Sequence, residues 1–247
     1  MDTAFWSAWW WPALTATLGF VYVGLLVKQW YERRKPHQLA WAVGFLFYAV
    51  AAVMEAVSEL TGTWDPTVYR IYMVLAASMV GFLGLGTLYL ITKKKTLGNI
   101  YLVFNLIALG VFLYGVFTTT LITENLVAGI TVGGSALGES MSFPRAMSFA
   151  FNIPGSLLLL GGSAWSVVKF WPKPEYRYRS WANVLIFVGT LIIAGAGSMA
   201  RAGQTVGLYP GEMVASALLL WGFLKAGTLQ KGAEAIKARR AGDQPSS

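Results

Sequence analysis

The sequence predicts an all-α integral membrane protein: a bundle of seven transmembrane helices with its N-terminus outside and its C-terminus in the cytoplasm. Three observations lead to this fold class: an apolar composition, a series of long apolar segments, and the positions of the cationic residues. Of the 247 residues, 56% are hydrophobic and only 12% are charged. A soluble domain carries about 25% charged residues. Lipid is therefore the expected surrounding of most of this chain.

Seven apolar segments approach or reach the length of about 20 residues that a helix needs to cross a bilayer core. Each is expected to be helical, because unpaired backbone polar groups are costly in lipid. Asp65-Pro66 predicts the start of the third span, with Asp as N-cap and Pro at the first helical position. Pro144 and Pro210 open the fifth and seventh spans in the same way. The predicted spans are 9–29, 39–61, 68–92, 98–120, 145–169, 181–202 and 208–225, within one transmembrane domain of residues 1–227.

The cationic residues predict the orientation of the bundle. All but three of the 19 Lys and Arg residues fall into clusters that follow odd-numbered spans. Because cytoplasmic loops are enriched in Lys and Arg, these ends are expected to be cytoplasmic, in a multi-pass plasma-membrane protein. The N-terminus lacks the cationic start of a secretory signal, so the first span is expected to be retained. The clusters are Lys28 to Lys35, Lys93 to Lys95, Lys169 to Arg179 and Lys225 to Arg240.

Two segments outside the spans have predicted roles. Residues 121–143 form the longest connection, on the external side, and are rich in glycine but still apolar. This composition predicts a lid or a short hairpin folded over the bundle. A phosphate-binding loop is excluded there, because no Lys follows Gly138. Residues 228–247 are predicted to be a short basic cytoplasmic tail that lies on the inner leaflet.

Two acidic residues lie inside an apolar span. Glu55 and Glu59 are four residues apart in the second span, which places both on one helical face together with Tyr48. An ionised carboxylate at that depth is costly unless it is paired or hydrated. Both side chains are therefore expected to face the interior of the bundle.

Three arginines lie outside the cationic clusters, and all three are at external ends of predicted spans. Glu212 lies at the same level, and Asn152 lies two turns into the fifth span. The sequence predicts that these groups form a nearly neutral pocket for a ligand or an ion, with no catalytic residue assigned. The alternative is a structural clasp, in which arginines reach lipid head groups and Glu–Arg pairs lock helices together. Glu55 favours a functional role more than the others, because it lies deepest in its span. The candidates are Glu55, Glu59, Arg70, Arg145, Asn152, Arg201, Glu212 and Tyr48.

Glycines recur in three of the predicted spans. Small residues allow helix backbones to approach closely in membranes, so close packing is the favoured interpretation. A ligand that needs space beside the backbone is the alternative. The glycines are Gly81, Gly84, Gly86, Gly161, Gly162, Gly195 and Gly197.

Absent or misplaced residue types exclude several kinds of chemistry. Cysteine is missing, which excludes disulfides, thiolate nucleophiles and thiolate metal ligands. The one histidine, His37, precludes a bis-histidine haem or a zinc site with paired histidines. Lys225 lies at the cytoplasmic end of the last span, too far from mid-membrane for a retinal Schiff base. No cofactor is therefore expected. The net charge of +8 arises from clusters between spans, so nucleic-acid binding is not expected either.

Three stretches resemble a group of bacterial seven-span membrane proteins of unknown function. They are 83–89 (LGLGTLY), Phe151-Asn152 with Gly161-Gly162-Ser163, and Gly197-Ser198 with Arg201 and Gly203. This resemblance implies an integral membrane protein and carries no activity. The topology also resembles the seven-helix sensor modules of bacterial kinases.

Three functions are compatible with these patterns. The first is a transporter of a small solute or an ion, with Glu55 and Glu59 as the binding carboxylates. The second is a ligand-binding sensor or an accessory subunit, without catalytic activity and with a cytoplasmic or membrane protein partner. The third is an enzyme acting on a lipid or isoprenoid, with Glu55 as general acid or base. The sequence favours a function without catalysis.

Overall fold

The described part of the protein is helical almost throughout. The computed structural model describes residues 9–92, 95–129, 134–139, 141–172, 177–202, 204, 207–222 and 224. Within these ranges, extended pairing is limited to one isolated bridge between Thr63 and Val127. The helices are α1 (Trp10–Arg33), α2 (Pro36–Thr61), α3 (Pro66–Ile91), α4 (Lys95–Thr118), α5 (Phe149–Phe170), α6 (Arg177–Arg201) and α7 (208–222).

The predicted all-helical fold is confirmed, and the helices are compatible with a membrane protein. Six of them are long and apolar enough to cross a membrane, and α7 is shorter in the part that the structure describes. The ends that the structure shows lie within four residues of those that the apolar segments predict. Apolar length is therefore a sufficient guide to where each helix begins and ends.

The start of α3 follows the prediction from the Asp65-Pro66 pair. The carboxylate of Asp65 accepts hydrogen bonds from the backbone N–H groups of Thr67 at 2.8 Å and Val68 at 3.0 Å. Pro66 occupies the first helical position, where no intrahelical donor is needed. This local chemistry separates α2 from α3 with a short connection.

α3 is the central helix of the bundle and packs against α2, α4 and α5, while α1 packs on α2 and α6 on α5. Small residues allow these close approaches. A Cβ added at Gly84 of α3 would lie 2.7 Å from Cα of Gly155 in α5. A Cβ added at Gly222 of α7 would lie 2.9 Å from the carbonyl oxygen of Ala182 in α6. At both places the backbones of two helices are in close contact.

The described part of residues 121–143, which are predicted to form a lid or hairpin, folds over one end of the bundle. Leu126, Ala136 and Leu137 are buried there against the ends of α3, α4 and α5. The N–H of Trp64 donates to the carbonyl of Leu126 at 3.0 Å, which ties this segment to the α2–α3 connection. We call this end of the molecule the capped end. Residues 130–133 and 140 lie outside the described residues.

The cationic residues that the structure describes mark the opposite end of the helices. Arg33 ends α1, Lys95 begins α4, and Lys169 lies in the last turn of α5. Arg70 and Arg145 lie instead at the capped end, near the starts of α3 and α5. Lys225 and the predicted tail, 228–247, lie outside the described residues.

Candidate functional site

Two carboxyl groups from distant parts of the chain meet inside the bundle. Glu55 of α2 is 3% exposed, and its Oε1 accepts a hydrogen bond from the hydroxyl of Tyr72 in α3 at 2.7 Å. The carboxyl group of Glu212 in α7 lies close enough to that of Glu55 for the two to interact directly. Helices α2, α3 and α7 therefore build the polar centre of the molecule together.

Hydrogen-bond donors are scarce around this pair. Oε2 of Glu212 is buried, and no N–H or O–H of the described residues donates to it. Two ionised carboxylates at such close range in a medium of low dielectric repel each other strongly. A proton held between Glu55 and Glu212 removes that repulsion and supplies the missing donor. The arrangement therefore fits a carboxyl pair that shares one proton.

Tyrosines surround the pair. The hydroxyl of Tyr48 in α2 lies 2.8 Å from Oγ of Ser216 and 3.1 Å from the backbone carbonyl of Glu212. Nearer the capped end, Oε1 of Glu59 accepts a hydrogen bond from the hydroxyl of Tyr209 at 2.6 Å. The backbone N–H of Gly129 also donates to Glu59. The carboxylates of α2 thus obtain their donors largely from tyrosines.

The arginines have other partners. The guanidinium of Arg70 donates from Nη1 to the carbonyl of Val116 and from Nη2 to that of Thr119 at 2.8 Å, both at the end of α4. Arg145 donates from Nη1 to the carbonyl of Gly138 at 2.6 Å. Arg70 therefore caps α4 instead of pairing with Glu55 or Glu59. Arg201 ends α6, and its side chain lies outside the described residues.

A cleft of about 590 Å³ adjoins the carboxyl pair. Helices α1, α2, α3, α5, α6 and α7 line it, and α4 does not. Along α3 the lining extends from Tyr72 to Ile91, which corresponds to about 28 Å at 1.5 Å per residue. The cleft therefore extends along most of the bundle. Four of the predicted site residues line it: Tyr48, Arg145, Asn152 and Glu212.

A second, much smaller void lies between the cleft and Glu55. Its volume is about 30 Å³, and Glu55 lines it together with Tyr48, Tyr72 and Glu212. A polar space of this size holds about one water molecule. Tyr48, Tyr72 and Glu212 also line the large cleft. Glu55 thus does not line the cleft itself, but it lies next to side chains that do.

The walls of the cleft are mainly apolar and aromatic. Tyr22, Trp41 and Phe45 line it from α1 and α2, and leucine and isoleucine side chains from α3, α5 and α6 complete it. Several of its hydroxyl groups are already bonded within their own helices, as Ser163 is to the carbonyl of Leu159 at 2.7 Å. Asn152 likewise donates to the carbonyl of Ser148 at 2.8 Å. Apart from Arg145 at the capped end, the carboxyl of Glu212 is therefore the strongest polar feature of this wall.

The glycines predicted to allow close packing divide into two groups. Gly81, Gly84, Gly86 and Gly162 contact a neighbouring helix, since a Cβ added at any of them would lie within 2.9 Å of another residue. Beside the other three, no atom of the described residues lies within 4 Å of an added Cβ: Gly161, Gly195 and Gly197. The packing interpretation thus holds for the first group only. Of the second group, Gly197 lines the cleft.

Two side chains of the candidate site, Tyr72 and Tyr209, are not among the residues that the sequence predicts. A signal for both was present, because a buried tyrosine hydroxyl in an apolar segment needs a hydrogen-bond partner. Tyr209 also lies three residues before Glu212, on the same face of α7. The sequence does not show, however, that α3 and α7 both border α2 at the level of Glu55.

The described residues contain no group of three or more His, Cys, Asp or Glu side chains that could hold a metal ion. No family model, curated protein or solved structure matches this chain. The resemblance to bacterial seven-span proteins therefore stays a prediction. The geometry of the cleft and its carboxyl pair is the main guide to the function of this protein.

Proposed function

We propose that this protein is a seven-span plasma-membrane transporter for a small amphipathic solute, with its N-terminus outside and its C-terminus in the cytoplasm. One observation carries the proposal: a cleft of about 590 Å³ extends along the bundle beside a carboxyl pair. Binding pockets for small molecules measure about 300 to 1,000 Å³. The cleft therefore has room for a molecule of ordinary metabolite or drug size.

The length of the cleft supports passage rather than binding at one end. Arg145 and Ser148 line it at the capped end, whereas Ile91 and Asn183 line it near the opposite end. The described cationic residues beyond that second end support its assignment to the cytoplasm. A solute in the cleft would thus be close to both sides of the membrane.

The lining supports an amphipathic solute rather than a bare ion. An inorganic ion needs a continuous series of oxygen ligands to replace its water. Beyond the carboxyl pair, the hydroxyls of Thr87, Ser163 and Thr190 are hydrogen-bonded to carbonyls of their own helices. Leu83, Leu157 and Leu219 fill the wall between them. An apolar body with one polar group matches this distribution.

Uptake into proteoliposomes tests the proposal. The solutes would be an aromatic cation (ethidium), a fatty-acid anion (octanoate) and a neutral aromatic (indole), each compared with protein-free liposomes. We expect Gly197→Phe to fill the cleft and lower uptake of the transported solute by about tenfold or more, equivalent to 1.4 kcal/mol of lost binding.

Gly195→Phe is the matched control. Gly195 lies two residues away on the same helix, it also has open space beside it, and it does not line the cleft. Its phenylalanine variant should take up the solute as the wild type does. Equal uptake by both variants, or no uptake of any of the three solutes, would contradict transport through this cleft. Binding of a solute without uptake would favour the alternative of a ligand-binding sensor.

A further inference from the structure

We propose that Glu55 and Glu212 bind the cationic group of a lipophilic organic cation and release one proton as the cation arrives. This inference rests on the proposed function, since it assigns a substrate class to the same cleft. It concerns the carboxyl pair, whereas the proposed function concerns the cleft as a whole. Transport through the cleft can therefore be correct while cation binding by the carboxyl pair is wrong, and cation binding can be observed without transport.

The pair needs a positive charge between its two carboxyl groups. Glu55 receives one hydrogen bond, from Tyr72, and Oε2 of Glu212 is buried with no donor among the described residues. In the unliganded protein, a proton shared by the two carboxyl groups meets that need. A cation that enters the cleft beside Glu212 meets it as well. Proton and cation therefore compete for one place.

Charge balance makes the exchange one for one. With one shared proton, the pair carries a single negative charge. If the proton leaves to water as a monovalent cation binds, the site with its ligand keeps that same net charge. An uncompensated charge in an apolar medium is costly, so exchange is favoured over addition.

Among the described side chains, the charged and titratable groups that face the pair are tyrosines and one further carboxylate, and the side chain of Arg201 lies outside the described set. Tyr48 and Glu59 face it from α2, Tyr72 from α3 and Tyr209 from α7. Arg145 lines the cleft at the capped end and donates there to the carbonyl of Gly138, and α1 contributes the hydroxyl of Tyr22 to the cleft wall. Of the side chains that the structure describes, no lysine or arginine interacts with either carboxyl.

The wall beyond the pair fits the apolar body of such a cation. Tyr22, Trp41 and Phe45 line the cleft, with the rings of Tyr22 and Phe45 stacked at 4.1 Å between centroids. Aromatic faces attract organic cations, and the attraction grows when the cation is desolvated. Gly197 leaves open space on the α6 wall, where a flat ring system can lie.

Proton release on binding tests the exchange directly. Ethidium would be titrated into the full-length purified protein in detergent, with binding followed by its fluorescence. In a weakly buffered solution, a pH-sensitive dye would record the protons that are set free. We expect about one proton for each bound ethidium, and an affinity that rises about tenfold per pH unit while the pair is protonated. Binding without proton release in the wild type would overturn the proposal, whatever the variants do.

Variants of Glu55 and Glu212 test whether the carboxyl pair is the source of the released proton. Glu55→Gln and Glu212→Gln keep the shape and the hydrogen-bonding ability of the side chain but remove the exchangeable acid. Each should abolish proton release and weaken ethidium binding by about tenfold or more. Glu32→Gln is the control, because Glu32 is an exposed carboxylate of α1 that lines neither the cleft nor the smaller void. It should bind ethidium and release the proton as the wild type does.

Octanoate and indole distinguish the two proposals. If either of them is taken up and Gly197→Phe blocks this, while ethidium does not bind, then the cleft transports a solute but the inferred class is wrong. If ethidium binds with release of a proton and no solute is transported, the pair is a cation site in a protein that does not transport. Unchanged ethidium binding and proton release in folded Glu212→Gln would also refute the role of the pair.

Discussion

Helices α3 and α6 have similar glycine-rich apolar sequences but very different surroundings. Half of the apolar window of α3 is buried inside the bundle, compared with 11% of that of α6. Gly84 of α3 lies against the backbone of Gly155, and Gly86 lies against the ring of Trp41. An added Cβ at Gly195 or Gly197 of α6 has no atom of the described part of the chain within 4 Å. Glycine thus permits close helix packing in α3 and leaves space beside the helix in α6.

The difference shows how the bundle is organised. Around α3 the helices are packed so closely that backbone meets backbone, which makes this side a rigid support for Tyr72 and Glu55. On the side of α6 the missing side chains leave room, and part of that room is the cleft. Glycines that look equivalent in the sequence should therefore differ when they are substituted. Substitutions in α3 should lower the stability of the protein, whereas substitutions in α6 at the cleft should lower ligand binding.

The largest expected effect is that of Gly84→Leu. Its Cβ would lie 2.7 Å from Cα of Gly155 and 2.9 Å from its carbonyl oxygen, so that α3 and α5 must move apart. Overpacking of this kind typically costs about 1–3 kcal/mol, and contact with backbone places this case near the upper figure. Unfolding of the purified protein in mixed detergents, followed by tryptophan fluorescence, would measure the loss.

Gly110→Leu is the control for this substitution. Gly110 of α4 is exposed and has open space beside it, so its leucine variant should unfold close to the wild type. If both variants were equally stable, the close approach of α3 and α5 would be disproved.

A smaller effect is expected from Arg70→Met, which tests how α3 holds α4. The substitution removes hydrogen bonds from a charged donor to the carbonyls of Val116 and Thr119. Hydrogen bonds to charged groups contribute about 1.5–3 kcal/mol, and partial exposure of Arg70 reduces the sum, so we expect a loss of about 2 kcal/mol. Arg70→Lys, which retains a charged donor, should recover part of it. Ethidium binding should be unchanged. A stronger affinity would instead place Arg70 near the carboxyl pair, because removal of a neighbouring positive charge favours a bound cation.

The smallest effect, and one of opposite sign, is expected from Gly195→Ala. Alanine is favoured over glycine inside a helix by about 0.5–1 kcal/mol, and none of the residues that the structure describes lies close enough to Gly195 to oppose the added methyl group. The variant should therefore be slightly more stable in the same unfolding measurement. Gly84→Ala serves as its counterpart and should be less stable than the wild type. A destabilised Gly195→Ala would mean that α6 is packed at this position after all.

Much of the fold could be predicted from the sequence because its signals are local. The length of an apolar segment determines whether it can form a membrane helix, and Asp65 followed by Pro66 defines the start of α3 without help from any other helix. The apolar character of residues 121–143 likewise predicted that this connection would fold onto the bundle. Part of it does so, through Leu126, Ala136 and Leu137.

The site was predictable only in part. Glu55 and Glu212 stand out because carboxylates are rare in apolar spans, and both prove to lie at the polar centre of the bundle. Their pairing with arginines was the simplest expectation from charge. The structure instead places Tyr72 beside Glu55 and Tyr209 beside Glu59, and it directs Arg70 to the end of α4.

The sequence by itself thus determined the helices, their ends and the rarity of the buried acids, since each depends on residues close together in the chain. The tertiary structure alone decided which side chains meet. Tyr72 and Glu55 are 17 residues apart, and Tyr209 and Glu59 are 150 apart. Periodicity shows which face of a helix is polar but not which helix borders that face. That choice depends on how closely the backbones can approach, and here Gly84 and Gly155 allow contact that Gly195 and Gly197 do not make.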